Sequence, residues 1–256
     1  MLLVIDAGNT NITLGVFRGD DLIAHWRIVT DHAKHSDEYV ADLQDLFQSE
    51  CLHLNKIDAV VIASVVPPLD QTLELMSQRG FQLTPLFVNH TVDTGLKILY
   101  DAPSDVGADR IVDAVAAVTK YGAPCIVVDF GTATTFNAVN AAHEYLGGVI
   151  APGLMISAEA LFLRAAKLPR VEIKRPEKVI GSSTVGAMQS GLYHGYAGLV
   201  DGVLEKMIAE MNANPRVIAT GGLAPLIADA SRFIEKVDST LTLDGLRLVY
   251  ERTQQV

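Results

Sequence analysis

The chain has 256 residues, of which 49% are hydrophobic and 20% are charged. This length and composition predict a globular protein that buries a real core, either as one unit or as two half-size domains. Its formal net charge of −10 argues against broad contact with DNA, RNA or anionic lipid, because such contact needs clustered Lys and Arg. A local site for an anionic ligand is compatible with this charge.

The cysteines and the apolar segments indicate the cellular compartment of the protein. Cys51 and Cys125 have neither the spacing of a zinc site nor that of a disulfide framework, which favours a reducing compartment. The apolar run 2–5 has no basic segment before it, so it does not resemble a secretion signal. No uncharged stretch approaches the roughly 20 apolar residues that a membrane helix requires. We therefore expect a cytoplasmic protein without a membrane partner.

The beginning of the chain predicts a strand meander covered by a helix. The predicted strands cover residues 2–5, 12–17 and 22–29. Ser36 stands before two acidic residues, and apolar residues recur at helical spacing over 40–47, which predicts a helix there. A β-branched apolar run at 58–66 is typical of a buried strand, and Pro67 opens the next helix.

The second half of the chain repeats this beginning. After a helical pattern at 108–120, the predicted strands cover residues 125–128, 134–139 and 145–150. Val4-Ile5-Asp6-Ala7-Gly8 and Val127-Val128-Asp129-Phe130-Gly131 share an apolar strand end, an Asp and a Gly, and the two Asp residues lie 123 positions apart. This offset predicts two similar halves with a boundary within 105–123. The predicted domains are residues 1–115 and residues 116–256.

The repeated turn has a chemistry of its own. A Gly two positions after a strand-end Asp lets the backbone turn tightly and approach a ligand, and successive amides there can cradle phosphate oxygens. Beside a phosphate, the Asp would hold hydrated Mg²⁺ or orient water. A single turn of this kind is more often structural, but two copies at a half-chain offset favour phosphate binding. Thr220-Gly221-Gly222 is a third glycine turn, which either lets adenine or ribose lie on the backbone or simply joins a strand to a helix.

Seven motifs are spread over nearly the whole chain. They are Asp6-Ala7-Gly8-Asn9-Thr10, Ser64-Val65-Val66-Pro67, Gly107-Ala108-Asp109-Arg110, Asp129-Phe130-Gly131-Thr132-Ala133-Thr134-Thr135-Phe136, the cluster from Gly147 to Gly153, Gly181-Ser182-Ser183-Thr184 and Thr220-Gly221-Gly222. Their composition and order resemble those of type III pantothenate kinases. The third and fourth motifs together are far more specific than any single glycine turn.

This resemblance implies an α/β fold with two duplicated ribonuclease H-like, actin-like ATPase domains, whose mixed sheets are flanked by helices, and a nucleotide cleft between them. It implies ATP-dependent phosphorylation of pantothenate to 4'-phosphopantothenate, the first step of coenzyme A biosynthesis. The implied cofactors are ATP, Mg²⁺ and a monovalent cation, K⁺ or NH₄⁺. The implied partners are pantothenate, ATP and a second copy of the chain in a homodimer, with no nucleic acid.

The resemblance also implies residue roles. Asp109 would be the general base on the substrate hydroxyl, Asp6 would hold Mg²⁺ through water, and Asp129 would hold the monovalent cation. The implied ATP and phosphate residues are Asp6, Ala7, Gly8, Asn9, Thr10, Thr132, Gly221 and Gly222. The implied pantothenate residues are Tyr100, Gly107, Ala108, Asp109, Arg110 and Thr184. One Arg with neutral polar groups suits pantothenate, which is an anion with hydroxyls and an amide.

Plainer interpretations exist for single residues. Asp109 and Arg110 could be a first-turn acid beside a solvated base, Thr184 could be a helix cap, and Tyr100 could be a core residue. One departure from the family pattern is visible, because many members carry Asp where this chain has Asn137. If that acid contributes charge near the site, cation affinity is altered here.

Two rival functions remain at the level of the sequence. The first is another phosphotransferase or phosphatase of the same superfamily with a different acceptor, since phosphate loops do not choose the acceptor. The second is a regulatory protein that keeps the nucleotide fold without catalysis. That rival predicts the loss of an essential carboxylate, whereas Asp109 is present.

Overall fold

The computed structural model describes residues 1–255. Two compact units are present in it. The first unit contains Met1–Leu96, Asp101–Ala116 and the residues from Thr242 onward, and the second contains Lys97–Tyr100 and Ala117–Leu241. The chain passes from the first unit to the second after Leu96, returns after Tyr100, passes again after Ala116 and returns after Leu241. The division into domains 1–115 and 116–256 stays a prediction, and Val256 lies outside the described residues.

The elements up to residue 121 follow the predicted order. The strands are β1 (Leu2–Ala7), β2 (Asn11–Arg18), β3 (Asp21–Val29), β4 (Ala59–Ser64), β5 (Leu86–Phe87) and β6 (Lys97–Ile98), and the helices are α1 (Ser36–Ser49), α2 (Pro67–Phe81) and α3 (Ala108–Tyr121). The helices predicted to begin at Ser36 and Pro67 are both confirmed. A side-chain oxygen of Glu38 accepts from the amide of His35 at 2.8 Å, which stabilises the start of α1.

The elements after residue 121 include the second meander. The strands are β7 (Cys125–Phe130), β8 (Ala133–Val139), β9 (Glu144–Pro152), β10 (Arg216–Thr220) and β11 (Lys236–Val237), and the helices are α4 (Leu154–Arg164), α5 (Thr184–Met211), α6 (Ala224–Ala228) and α7 (Leu241–Thr253). The three strands predicted between residues 125 and 150 are confirmed, with β9 two residues longer at its end than expected.

The two sheets confirm the predicted internal repeat. The first has the order β3-β2-β1-β4-β5, and the second has the order β11-β10-β7-β8-β9-β6. Reversed, the second order matches the first strand for strand, with β6 added at the β9 edge. In each sheet the central strand, β1 or β7, runs antiparallel to the next strand in the chain and parallel to a later one. The offset of 123 positions between Asp6 and Asp129 therefore corresponds to a repeated sheet topology.

Successive side chains of the central strands point to opposite faces of the sheet, so every second residue enters a core. In the first unit, Leu3 and Ile5 belong to the core, together with Leu43 and Phe47 of α1. Trp26 of β3 stacks on Phe47 with ring centroids 5.4 Å apart. The second core follows the same plan, with alternate residues of β7 packed against α5. They include Ile126, Val128, Phe130, Tyr196, Val200 and Leu204.

In the first unit, α7 packs against α3 through a glycine. A Cβ atom built on Gly245 would lie 2.1 Å from the carbonyl oxygen of Val112, so a side chain there would collide with the backbone of α3. The side chain of Thr242 donates to Asp113 at 2.7 Å in the same region. Bare backbone at Gly245 is therefore needed for this helix contact.

We predict that Gly245→Ala lowers the free energy of unfolding by at least about 1–3 kcal/mol, because the added methyl group overpacks the contact with α3. Gly202→Ala is the matched control: it is also inside a helix, but a Cβ atom there meets nothing within 4 Å. We expect it to raise stability by about 0.5–1 kcal/mol, since Ala is the better helix former. Urea unfolding measures both, and equal effects of the two substitutions would contradict the packing assignment.

Candidate active site

The turn after β1 carries the first group of assigned residues. The amide of Gly8 donates to the carbonyl of Asn11 at 3.0 Å, and the hydroxyl of Thr30 donates to the carbonyl of Gly8 at 2.6 Å. Asp6 is half-buried just before this turn, while Asn9 and Thr10 are exposed at its tip. The predicted phosphate turn is thus a closed loop. Thr30 was not among the sequence candidates, because a single Thr after a strand gives no signal of such a contact.

The end of β4 lies beside this turn. β4 runs parallel to β1 with Ala7 opposite Ser64, and the amide of Val65 donates to the carbonyl of Ala7 at 3.1 Å. Ser64 also donates its hydroxyl to Asp70 of α2 at 2.5 Å. The motif at residues 64–67 therefore connects the strand end to α2 and supports the Asp6 turn.

Asp109 lies at the start of α3, and its carboxylate lies close to the backbone of Gly107. A Cβ atom on Gly107 would lie 2.4 Å from Oδ1 of Asp109 and 3.3 Å from Cγ1 of Val65. Gly107 thus gives the carboxylate its space, and Val65 connects this helix start with the Asp6 turn. Oδ1 of Asp109 accepts from the amide of Arg110 at 2.7 Å. The structure brings Asp6, Gly8, Gly107 and Asp109 into one region of the first unit.

The surroundings of Asp109 change its acidity. Burial raises the pKa of the Asp109 carboxyl above its ordinary value, and the hydrogen bond from the Arg110 amide and the Arg110 charge offset this only in part. Arg110 itself is buried, with 6% of its surface exposed. A carboxylate with a raised pKa is a better proton acceptor at neutral pH than an ordinary surface Asp. Asp109 does lie in the first turn of α3, but Arg110 is not a solvated base, so that part of the plainer interpretation is wrong.

Asp129 occupies the matching position in the second unit. It is half-buried near the end of β7, and Gly221 at the end of β10 would place a Cβ atom 2.5 Å from its Oδ1. Gly221 has a φ of +90°, a conformation that glycine adopts without steric cost. Gly131 approaches Oδ2 in the same way at 3.3 Å. Two glycine turns thus converge on one carboxylate, while the adjacent Gly222 is exposed.

Thr132 lies in the turn between β7 and β8, and its side chain is exposed. A Cβ atom on Gly153 would lie 2.1 Å from the carbonyl oxygen of Thr132. Gly153 therefore packs the start of α4 onto this turn. This contact makes Gly153 a packing joint between α4 and the turn.

Tyr100 and Thr184 also belong to the second unit. The ring of Tyr100 is half-buried and would meet a Cβ atom on Gly147 at 3.3 Å. Thr184 is exposed at the first position of α5, whose cap is Ser183, the residue that accepts from the Gly186 amide at 3.1 Å. The cap interpretation of Thr184 is thus wrong. No hydrogen bond within residues 1–255 joins Thr184 to Tyr100.

The carboxylates of the described residues do not form a metal cage. Within residues 1–255, no group of three or more His, Cys, Asp and Glu side chains could hold a metal ion. A single carboxylate such as that of Asp6 suits a Mg²⁺ ion that keeps several waters and binds phosphate oxygens, but it does not form a protein cage. In the same described part of the chain, no helix has the length and apolar character needed to cross a membrane.

Comparison with known proteins decides the family. The family model for type III pantothenate kinase matches residues 2–206. The chain belongs to the type III pantothenate kinase family. A type III pantothenate kinase from Koribacter versatilis is 56% identical over 99% of this chain and 96% of its own length. The one from Geobacter sulfurreducens is 55% identical over the full length of both chains.

Family membership confirms the function predicted from the motifs. The chain is a kinase that uses ATP to phosphorylate pantothenate in coenzyme A biosynthesis. The identity extends over the whole chain and includes both units, so neither a different acceptor nor a non-catalytic role accounts for it. Both rival functions are set aside on this ground.

Solved structures confirm the fold class. A Baf family protein from Campylobacter jejuni matches with a TM-score of 0.63 and 18% identity, over 99% of this chain and 100% of that chain. A ROK family glucokinase from Streptomyces griseus, in complex with glucose and AMPPNP, matches with a TM-score of 0.55 and 13% identity, over 99% and 100%. At these identities the likeness concerns the fold, which is that of the actin-like ATPase and sugar kinase proteins.

We predict that Asp109→Asn raises the melting temperature at pH 7. The folded state raises the pKa of this acid, so stability falls as pH rises from the ordinary Asp value through the raised value, and above both the charge costs stability in full. Each 1 kcal/mol recovered by the neutral amide would appear as about 2–4 °C. Scanning calorimetry at pH 7 and at a pH below the ordinary Asp value tests this. The difference between the two proteins should vanish at the lower pH, and a lower melting temperature of the variant at pH 7 would contradict the burial cost.

Proposed function

We propose that Asp109 is the general base of the pantothenate kinase reaction. The observation that carries this proposal is the position of its carboxylate over Gly107, where burial raises the pKa of the group. A positioned base of this kind contributes about 10²- to 10⁴-fold in rate. Alignment and neutralisation of phosphate charge supply the rest of the acceleration.

The step assigned to Asp109 is a proton transfer coupled to phosphoryl transfer. The carboxylate takes the proton of the primary hydroxyl of pantothenate while that oxygen forms a bond to the γ-phosphorus of ATP. The bond from the γ-phosphorus to the bridging oxygen breaks, and ADP leaves with the electron pair. The products are 4'-phosphopantothenate and a protonated Asp109, which returns its proton to water.

Neighbouring residues are assigned to pantothenate. In the first unit, Gly107 and Ala108 present backbone at the start of α3, and the buried guanidinium of Arg110 suits the carboxylate of pantothenate. In the second unit, Tyr100 follows β6 and Thr184 begins α5, and both carry hydroxyls. These assignments rest on the motifs shared with the family and on the location of Gly107 beside Asp109.

The two repeated turns are assigned to the nucleotide. The residues proposed to contact ATP and its phosphates are Asp6, Ala7, Gly8, Asn9, Thr10, Thr132, Gly221 and Gly222. The tight turn at Gly8 and the close approach of Gly221 to Asp129 support these roles, since both bring glycine backbone to the ends of the strands that carry Asp6 and Asp129. We further assign Asp6 to Mg²⁺ through water and Asp129 to K⁺ or NH₄⁺. Bound there, the cations would neutralise phosphate charge.

We predict that Asp109→Asn lowers kcat for pantothenate about 10²- to 10⁴-fold and changes the KM for pantothenate only a few-fold, because the amide cannot accept the proton. Asp105→Asn is the matched control, since Asp105 is an exposed Asp in the 3₁₀ turn Pro103–Asp105, just before α3. A coupled assay for ADP with Mg²⁺, in KCl or in NaCl, measures both variants.

The outcomes of this assay separate the assignments. Native-like kcat of the Asp109→Asn protein would remove Asp109 as the base. Equal losses in the two variants would indicate a general disturbance of the loop before α3. Equal turnover of the native chain in KCl and NaCl would count against the assignment of Asp129 to a K⁺ ion, without affecting the role of Asp109.

We also propose that the enzyme is a homodimer. Most of its exposed large apolar side chains lie in the second unit between residues 150 and 185, a stretch that we call the apolar segment. They are Ile150, Met155, Ile156, Leu161, Leu163, Val179, Ile180 and Val185. Such a concentration of exposed apolar surface is typical of an interface. A second copy of the chain is the partner expected from the family resemblance, and the two free cysteines favour the cytoplasm as its location.

We predict that Ile180→Asp shifts the enzyme from dimer to monomer at micromolar concentration, because a charge would be buried in the interface. Ile180 is 88% exposed in the single chain, so the substitution should leave the fold of the monomer intact. Val29→Asp is the control, since Val29 is 73% exposed but lies in the first unit on β3. Light scattering coupled to size exclusion reads the mass, and a dimeric Ile180→Asp protein would reject the apolar segment as the interface.

A further inference from the structure

One face of β8 presents a polar pair beside Asp129. Phe136 and Ala138 of this strand belong to the core of the second unit, so the alternate residues Thr135 and Asn137 lie on the opposite face. Thr135 is directly across from Asp129 in the antiparallel pairing of β7 with β8. Residues opposite each other in this way have Cβ atoms about 4.5–5.5 Å apart. The hydroxyl of Thr135 therefore shares a face with the assigned phosphate turn.

The amide of Asn137 has a defined orientation. Asn137 is fully buried, and its Oδ1 accepts from the hydroxyl of the buried Tyr145 at 2.9 Å. Its Nδ2 then faces Thr135 and donates to Oγ1 at 3.1 Å. The oxygen of an Asn amide only accepts and its nitrogen only donates, so in this orientation the end of the amide that meets Thr135 is a donor.

This orientation makes Thr135 a donor. Its oxygen accepts from Asn137, so its own hydrogen must point elsewhere. In the part of the chain that the structure describes, residues 1–255, the bond from Asn137 is the only hydrogen bond of the Thr135 side chain. Thr135 is half-buried, so a bound group can reach it. A hydroxyl hydrogen held in this way is suited to an acceptor that arrives with the ligand.

We propose that Thr135 donates a hydrogen bond to a phosphate oxygen of the bound nucleotide, and that Asn137, held by Tyr145, sets the direction of this bond. The inference rests on the proposed function of the turn at residues 129–132 as a phosphate site. Thr135, Asn137 and Tyr145 are all neutral, so this face adds donors without adding a second negative charge beside Asp129. That combination suits an anionic oxygen better than a cation.

The same polarity distinguishes Asn137 from an Asp at this position. A carboxylate at this position would have no hydrogen to donate, so the hydroxyl of Thr135 would turn its hydrogen toward it. The ligand would lose a donor and meet a negative charge on the same face. Asn137 is therefore the residue that decides whether Thr135 donates to the phosphates.

Thr135→Val tests the proposal, since Val keeps the shape and the strand preference of Thr but removes the hydroxyl. We expect the KM for ATP and the Kd of AMPPNP to rise about ten- to a hundred-fold, as for a lost hydrogen bond to a charged group. The KM for pantothenate should stay within about two-fold of the native value. Thr135→Ser should restore nucleotide binding, whereas Asn137→Asp should weaken it.

Thr134→Val provides the matched control. Thr134 is the next residue on the same strand, but it faces the core, where its hydroxyl bonds to that of Tyr196. The same substitution there should lower the melting temperature and leave the Kd of AMPPNP within about two-fold of the native value. Calorimetric titration of the full-length enzyme with AMPPNP and Mg²⁺ measures affinity without turnover.

The results separate this inference from the function on which it rests. A native Kd of AMPPNP in Thr135→Val overturns the role of Thr135, and so does an equal loss for AMPPNP and pantothenate. Thr132→Val is measured in parallel: if it weakens AMPPNP while Thr135→Val does not, only the present inference is wrong. If neither does, the phosphate assignment of the turn is wrong as well. Thr135→Ala replaces the Val variant if that protein does not fold.

Discussion

The pairing of the central strands places the assigned phosphate residues, because β1 and β7 each run antiparallel to one neighbour and parallel to the other. The antiparallel neighbour requires a tight turn at the strand end, whereas the parallel neighbour brings its own end to the same edge of the sheet. The turn after Asp6 thus lies beside Ser64, and Asp129 lies beside Gly221. Alternation directs both carboxylates away from the cores that the flanking residues fill.

The second constraint is that glycine, which has no side chain, must lie beside the assigned carboxylates. Gly107 and Gly221 each leave the space that a carboxylate occupies, and neither position tolerates a Cβ atom at the observed distance. Burial removes water from the carboxylate of Asp109, and this loss of solvation raises its pKa. A base that is easily protonated is useful for catalysis and unfavourable for folding. The fold therefore has to supply the free energy that keeps Asp109 in place, through the approach of Val65 to Gly107 just before α3 and the packing of Gly245 on Val112 of α3.

The sequence predicts the repeated sheet topology well, but it does not predict the contacts between segments that are distant along the chain. The offset between Asp6 and Asp129 is visible because both stand at a strand end before a Gly. β6 has only two residues, and its partner Glu144 lies 47 positions away, so no local pattern reveals it. The return of α7 to the first unit depends on Gly245 meeting Val112, a contact across 133 positions. In the site, motifs identify the carboxylates, but the pKa of Asp109 follows from burial by residues distant in sequence.

Thr135 shows why a repeat does not give both halves the same chemistry. In the first unit Thr13 stands opposite Asp6, as Thr135 does opposite Asp129. The position two residues further along the strand is Asn137 in the second unit but Gly15 in the first, where the side chain of Leu243 from α7 fills the space, 3.1 Å from a built Cβ atom. An apolar contact cannot direct a hydroxyl, whereas the Asn137 amide can. The repeated backbone thus supplies two similar turns, and the residues packed behind each turn decide which groups it can bind.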